Sequence, residues 1–144
     1  MTEHRPHSVS VAGIVVNDEG KVLVIRRRDN NHWEPPGGIL EVDETFEEGV
    51  RREVHEETGV RVKVDRLTGV YKNMAHAIVA LVFRCTPVAG DTTVTDESRE
   101  VRWMSLDEAN AVMSPAYAVR VTDALESGLI RTRTHDGINL FEAQ

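Results

Sequence analysis

Apolar and polar residues alternate at the start of the chain. Over residues 8–17, Val9, Val11 and Gly13 stand against Ser8, Ser10 and Ala12, a period-two pattern that predicts a half-buried strand. Asp18, Glu19 and Gly20 form a turn signal, and residues 21–26, KVLVIR, predict a second strand returning antiparallel to the first. Asp29, Asn30, Asn31 and His32 break the pattern, and Trp33-Glu34-Pro35-Pro36 leads into a glycine pair as a stiff loop or short edge strand. Further strands are predicted over 60–67, 69–71, 76–84 and 97–104, with 87–95 as a loop around Pro87, Gly90 and Asp91. Ser105 and Glu108 make a capping box for a short helix to Met113. Ser114-Pro115 starts a third helix that Gly128 ends, and residues 129–144 have weak strand character around an Asp136-Gly137 turn. Mixed strands around one long and two short helices predict an α/β or α+β architecture.

The long helix lies in residues 37–60, GGILEVDETFEEGVRREVHEETGV. It is predicted to begin near Glu44 with Asp43 as N-cap and to stop at Gly59. At about 100° per residue, Phe46, Val50 and Val54 form one stripe for packing on a sheet. Gly49, inside the helix, predicts a tight helix–sheet contact or a close approach by a ligand. Beside the stripe, Glu53, Glu56 and Glu57 crowd into little more than one turn. Like charges three and four residues apart on a helix repel, and a hard divalent cation is the natural neutraliser. Arg52, four residues from both Glu48 and Glu56, can bridge carboxylates.

Composition narrows the setting. The 144 residues suit a single domain spanning 1–144, with 1–7 and 135–144 as peripheral ends. A net charge of −7 argues against a broad nucleic-acid-binding surface. A local basic run remains at Arg26, Arg27 and Arg28. The single cysteine, Cys85, excludes an intrachain disulfide and sits in an apolar run as a reduced thiol. The polar N-terminus has no signal-peptide core and no run approaches the ~20 apolar residues of a membrane span, so a cytoplasmic location is expected.

Gly38, Glu44 and the run Arg52-Glu53-Val54-His55-Glu56-Glu57-Thr58-Gly59-Val60 match the Nudix box at every specified position. Trp33, Pro36 and the Trp103 strand followed by Ser-Leu-Asp-Glu resemble the usual flanks, so the resemblance covers residues 8–127. It implies a Nudix-type α/β/α sandwich with a mixed sheet. The implied activity is hydrolysis of a nucleoside diphosphate linked to a further moiety.

Such a reaction brings water to a phosphorus ringed by negative oxygens, which calls for divalent cations and a carboxylate to orient the water or take its proton. Mg²⁺, with Mn²⁺ as a substitute, suits a few helix glutamates plus substrate phosphates. Glu53, Glu56 and Glu57 are the expected metal ligands, with Arg52 holding them, and the resemblance adds the backbone carbonyl of Gly38. Glu44 is either near the site, as in the family, or a first-turn acid favoured by the helix dipole. Relatives often draw a further ligand or base from the loop before the Trp strand, where Glu97 and Glu100 stand; Glu100 is the favoured choice. Arg27 is expected to face the phosphates, and Tyr71 or Trp33 to stack on a base or to belong to the core.

The markers that follow the box in ADP-ribose and dinucleoside-polyphosphate relatives are missing: Ala75 and His76 stand where a Pro is common, and Ala77 where a Tyr is. The coenzyme A pattern is missing too. What remains resembles the MutT-like branch, which converts a nucleoside triphosphate to a monophosphate and pyrophosphate. An ADP-ribose or nucleotide-sugar pyrophosphatase and a non-catalytic ligand-sensing module are the alternatives. The partner is a small nucleotide, without stable nucleic acid or membrane, and a homodimer is compatible with the resemblance.

Overall fold

The computed structural model describes residues 4–126 and 128–141. Among these described residues, eight strands and three helices follow one another as β1 (Ser8–Val15), β2 (Val22–Arg27), β3 (Trp33–Glu34), β4 (Gly37–Ile39), α1 (Phe46–Thr58), β5 (Arg61–Asn73), β6 (Ile78–Ala89), β7 (Ser98–Met104), α2 (Leu106–Val112), α3 (Pro115–Leu125) and β8 (Arg131–His135). A mixed five-stranded sheet runs β4-β1-β6-β5-β8, and an antiparallel three-stranded sheet runs β3-β2-β7.

Period-two alternation sorts β1 onto two cores. Val11 and Val15 face α1, where Val50, Val54, Leu23, Phe83 and Cys85 bury with them. Ala12 and Ile14 face the opposite side, with Val82, Met113, Val121 and Ala124 from the β6, α2 and α3 layers. Two apolar faces on one strand require a helical layer on each side, which makes the expected α/β/α sandwich. Cys85 is a free, buried thiol, as expected.

Several local expectations are corrected. β1 does not turn back onto β2: one isolated bridge, Val16 to Val22, joins them, and β1 pairs parallel with β6 from Ser8–Ile78 to Val15–Cys85. The predicted strands 60–67 and 69–71 are one long strand, β5, whose register shifts at three places, one of them around Thr68, where the hydroxyl donates to the Val82 carbonyl at 3.1 Å. β6 extends through Pro87 to Ala89, shortening the predicted loop. α1 is capped by Thr45 rather than Asp43: Glu48 N–H donates to Thr45 Oγ1 at 3.2 Å, and Glu48 accepts from Thr45 N–H at 2.9 Å. That reciprocal box occupies Glu48, so it is not one of the carboxylates held by Arg52. Phe46 is 45% exposed, because at the first helical position it overhangs the end of the apolar stripe.

Gly49 lets the helix sit on the sheet, since a Cβ there would lie 2.6 Å from Leu40 and 3.2 Å from Val11. α3 ends at Leu125 with Glu126 as its cap, before Gly128. The C-terminal segment is more than a peripheral end: His135 is buried, Phe141 N–H donates to Thr134 at 2.9 Å, and Ala116 N–H donates to Ile138 at 3.0 Å. Residues 4–7 are exposed, and the rest of that expectation, at 1–3 and 142–144, lies outside the described residues.

Candidate active site

α1 is aimed by its two ends. The Thr45 box fixes its start, and its stop is Gly59 in a left-handed conformation at φ 79°, whose N–H bonds the His55 carbonyl. Only glycine adopts that conformation without strain. Between these ends Glu53 and Glu57 fall one turn apart on the side that meets the β4 glycines. Gly37 N–H donates to Glu57 Oε1 at 2.7 Å. A Cβ on Gly38 would lie 2.7 Å from the Glu53 carboxyl group, so the glycine leaves the space that this carboxylate occupies. The Gly38→Ala variant is expected to keep its melting temperature, because the alanine suits a strand. It should lose about 10²-fold in kcat/KM of the hydrolysis that the resemblance implies, as Glu53 is displaced; paired melting and steady-state measurements check both halves.

Glu53, Glu57 and Glu97 each offer an oxygen within 4.8 Å of the others, and the two helix glutamates are buried. Burial pushes Glu57 up to about 8, the Glu53 and Glu97 charges push the same way, and the Gly37 amide only partly opposes them. Glu53 is also raised by burial, against the pull of Arg52. Three hard oxygen donors this close together, the two helix glutamates held at this cost to their charged forms, fit a divalent cation.

Arg52 carries the rest of the predicted constellation. Its Nε donates to Glu44 Oε2 at 2.9 Å, its Nη1 to Glu53 at 2.8 Å and to Glu56 at 3.3 Å, and its Nη2 to the Ile39 carbonyl at 3.1 Å. Glu44 precedes the helix and is no first-turn acid; it also accepts from Glu41 N–H at 2.9 Å. The Arg52 hydrogen bonds hold its carboxyl down at about 2. Glu56 sits at the rim, its side chain 49% exposed, outside the close carboxylate trio.

Two expected site residues stand elsewhere. Glu100 is held by Arg26 at 3.2 Å and Arg102 at 2.7 Å and is not a member of the trio, whereas Glu97 is. Tyr71 is fully buried, with its hydroxyl donating to Asp123 at 2.7 Å, so it is a core residue and offers no face for stacking a base. Trp33 is half-buried, with the Arg26 and Arg102 guanidiniums 5.8 and 5.6 Å from its ring centroid.

A cleft of about 760 Å³ opens beside the carboxylates. Arg27 and Arg28 line it near the trio, Arg27 pairing with Asp29 at 2.8 Å and with Glu34 at 3.4 Å. Its lining also includes Glu34, Asn73, Ile78, Tyr117, Arg120 and His135. None of these six carried a sequence signal of its own, since they come from five separate segments.

A family model, the NUDIX domain, matches residues 6–124. The chain belongs to the Nudix family. It is 56% identical over 137 residues to a MutT-like protein of Streptomyces ambofaciens, covering 95% of this chain and 89% of that one. It is 35% identical over 107 residues to an ADP-ribose pyrophosphatase of Methanocaldococcus jannaschii, covering 69% of this chain and 63% of that one. The crystal structure of a MutT protein from Methanosarcina mazei superposes with a TM-score of 0.73 at 28% identity, covering 84% of this chain and 94% of that one. This Nudix hydrolase is a MutT-like pyrophosphohydrolase, of a family that generally uses a divalent metal and acts on small nucleotides. Among its described residues, no helix is long and apolar enough to cross a membrane.

Proposed function

We propose that this Nudix hydrolase cleaves a nucleoside triphosphate to the monophosphate and pyrophosphate, with Mg²⁺ bound at Glu53, Glu57 and Glu97. The observation that carries the reading is the trio of close carboxylates at one end of a cleft that also holds Arg27 and Arg28. Such a cleft matches a ligand with a polyanionic end and a bulky other end. Mg²⁺, or Mn²⁺ in its place, would neutralise phosphate oxygens and lower the pKa of bound water. Glu56 at the rim and the Gly38 carbonyl complete the proposed ligand set, and Arg27 faces the phosphates. Water attacks phosphorus, the bridging P–O bond breaks, and pyrophosphate leaves with the bond's electron pair. We assign the water's proton to Glu97, the exposed member of the trio.

The experiment is a nucleotide panel with Mg²⁺, resolving monophosphate and pyrophosphate from other products. Failure to turn over any triphosphate would defeat the reading. The 35% identity to the archaeal ADP-ribose pyrophosphatase favours one second reading, cleavage of ADP-ribose, which belongs in the same panel. Within it, Glu97→Gln is expected to lower kcat about 10²-fold. Glu100→Gln should stay within about twofold, because Glu100 is committed to Arg26 and Arg102. The reverse order would return the proton to Glu100. The net charge of −7 and the reduced, buried Cys85 support a cytoplasmic enzyme acting on free nucleotides.

A further inference from the structure

The three close carboxylates come from two parts of the chain. Glu53 and Glu57 ride on α1, whereas Glu97 ends the irregular segment between β6 and β7. Glu97 and most of that segment are exposed, so packing does little to hold them. The segment is fastened instead to the end of α1. The last carbonyls of a helix have no donor within the helix, and here the segment supplies two. Thr93 N–H donates to the Thr58 carbonyl at 2.8 Å, and the Ser98 hydroxyl donates to the Glu57 carbonyl at 2.9 Å. The glycine stop of α1 permits this approach, since a Cβ on Gly59 would lie 2.8 Å from the Asp91 carbonyl oxygen.

Ser98 is fully buried at the first position of β7, and its hydroxyl is saturated. A hydroxyl has one proton and two lone pairs. The proton goes to the Glu57 carbonyl, which can only accept, so Thr95 is the donor in the 3.1 Å contact between the Thr95 and Ser98 hydroxyls. The other lone pair of Ser98 takes Thr95 N–H at 3.1 Å. Thr95 Oγ1 in turn accepts from Glu97 N–H at 3.3 Å. An unbroken run of hydrogen bonds therefore leads from the Glu97 amide, through the Thr95 and Ser98 hydroxyls, to the Glu57 carbonyl. Each link in such a run polarises the next. Arg28 holds the other side of the segment: its N–H donates to the Glu97 carbonyl at 3.1 Å and its Nε to the Thr95 carbonyl at 3.0 Å. The amide and the carbonyl of Glu97 are both fixed, with its carboxylate within 4.8 Å of the helix pair.

We propose that Thr95 and Ser98 are positioning residues, whose run of hydroxyls sets where the Glu97 carboxylate stands relative to Glu53 and Glu57. This rests on the assignment of the water's proton to Glu97 above, and it holds whichever nucleotide is cleaved. Thr95→Val keeps the shape of the side chain and removes the central hydroxyl; Thr95→Ser keeps the hydroxyl. With Mg²⁺ and whichever triphosphate or ADP-ribose the panel finds cleaved, the valine variant should lose about tenfold in kcat with KM within about twofold. Its affinity for Mn²⁺ alone, read without nucleotide from the spin-resonance signal of the free ion, should also fall about tenfold. Thr95→Ser should return both to within about twofold of the wild type. In a Glu97→Gln background Thr95→Val should change kcat by less than about twofold, because the carboxylate it positions has gone. A further measurement needs no variant and decides alone should the valine protein fail to fold. In the metal-free wild type, the Thr95 and Glu97 amides should exchange hydrogen about tenfold or more slowly than those of Val94 and Asp96, which have no acceptor among the described residues. A valine variant with wild-type kcat and Mn²⁺ affinity, a loss that multiplies with that of Glu97→Gln, or fast exchange at Thr95 and Glu97 would overturn the positioning role and leave that of Glu97 standing. Full activity of Glu97→Gln would overturn both.

Discussion

Glu57→Gln is expected to lose about 10³-fold or more of the Mg²⁺-dependent turnover while the metal-free protein becomes more stable. The two halves have one cause. Glu57 is buried beside Glu53 and within reach of Glu97, and its carboxyl is pushed up to about 8. An ordinary unfolded glutamate titrates near ~4.3. A raised folded value means that the folded, metal-free protein holds this proton more tightly than the unfolded chain does. Its contribution to stability is therefore complete below the unfolded value and is lost as pH rises towards about 8. Glutamine keeps the acceptor for the Gly37 amide, now at 2.7 Å from Glu57 Oε1, and carries no charge to bury. Its melting temperature in chelator at pH 8 should therefore exceed that of the wild type, and the gap should close by about pH 5. Metal binding reverses the balance, since a cation displaces the proton and needs the charge. The wild-type melting shift on adding Mg²⁺ should grow from pH 6 to 8, and that of the glutamine variant should be small and flat. Removing a charged ligand forfeits several kcal/mol of transition-state stabilisation, which sets the ~10³-fold loss. A variant with wild-type activity, or one less stable in chelator at pH 8, would remove Glu57 from the metal site.

What the sequence disclosed follows the range of the interactions. The carboxylate helix, its Gly59 stop, the Val50–Val54 stripe and the Ser105–Glu108 capping box were legible because each is decided within one or two helical turns. The same holds for Arg52 against Glu56. Its partnership with Glu44 was less legible, since a loop rather than the helix carries that residue. The β1–β2 hairpin was misread because alternation and a good turn are local, whereas the pairing of Val9 with Val79 is chosen by two cores that no short window contains. Tyr71 and Glu100 failed as site residues for a related reason. A polar tip does not reveal whether its partner is a substrate or, as here, Asp123 for Tyr71 and two arginines for Glu100. Arg120 and His135 gave no sign at all. They meet only because β8 returns along β5, beside the sheet face that α3 covers.

Arg52→Ala should then be the most damaging change that leaves every carboxylate in place. Its guanidinium is shared among Glu44, Glu53, Glu56 and, at 3.7 Å, Glu41, and it also donates to the Ile39 carbonyl. Deleting it leaves Glu44 and Glu53, with side chains 11% and 10% exposed, without their cation. Hydrogen bonds to charged groups contribute about 1.5–3 kcal/mol each when buried. Discounting for partial exposure and for water entering the gap, a total loss of about 2 kcal/mol is expected near neutral pH. The pH dependence identifies the cause. With the folded Glu44 carboxyl lowered to about 2, its contribution is fully present above the unfolded value near ~4.3 and is lost as pH falls towards 2. The wild type should therefore lose stability between pH 5 and 3 more steeply than the alanine variant, and their unfolding curves should converge in acid. Activity should fall about 10²-fold, the scale of losing a group that orients a metal ligand. Mg²⁺ at high concentration should restore part of it by substituting for the missing charge beside Glu53. Arg52→Lys should recover stability better than activity, because one ammonium cannot span Glu44 and Glu53 as the planar fork does. Denaturant melts of the three proteins at pH 3, 5 and 7, with Mg²⁺ titrations of kcat, separate these outcomes. Unfolding curves that stay parallel across that range would show that Arg52 acts through packing alone.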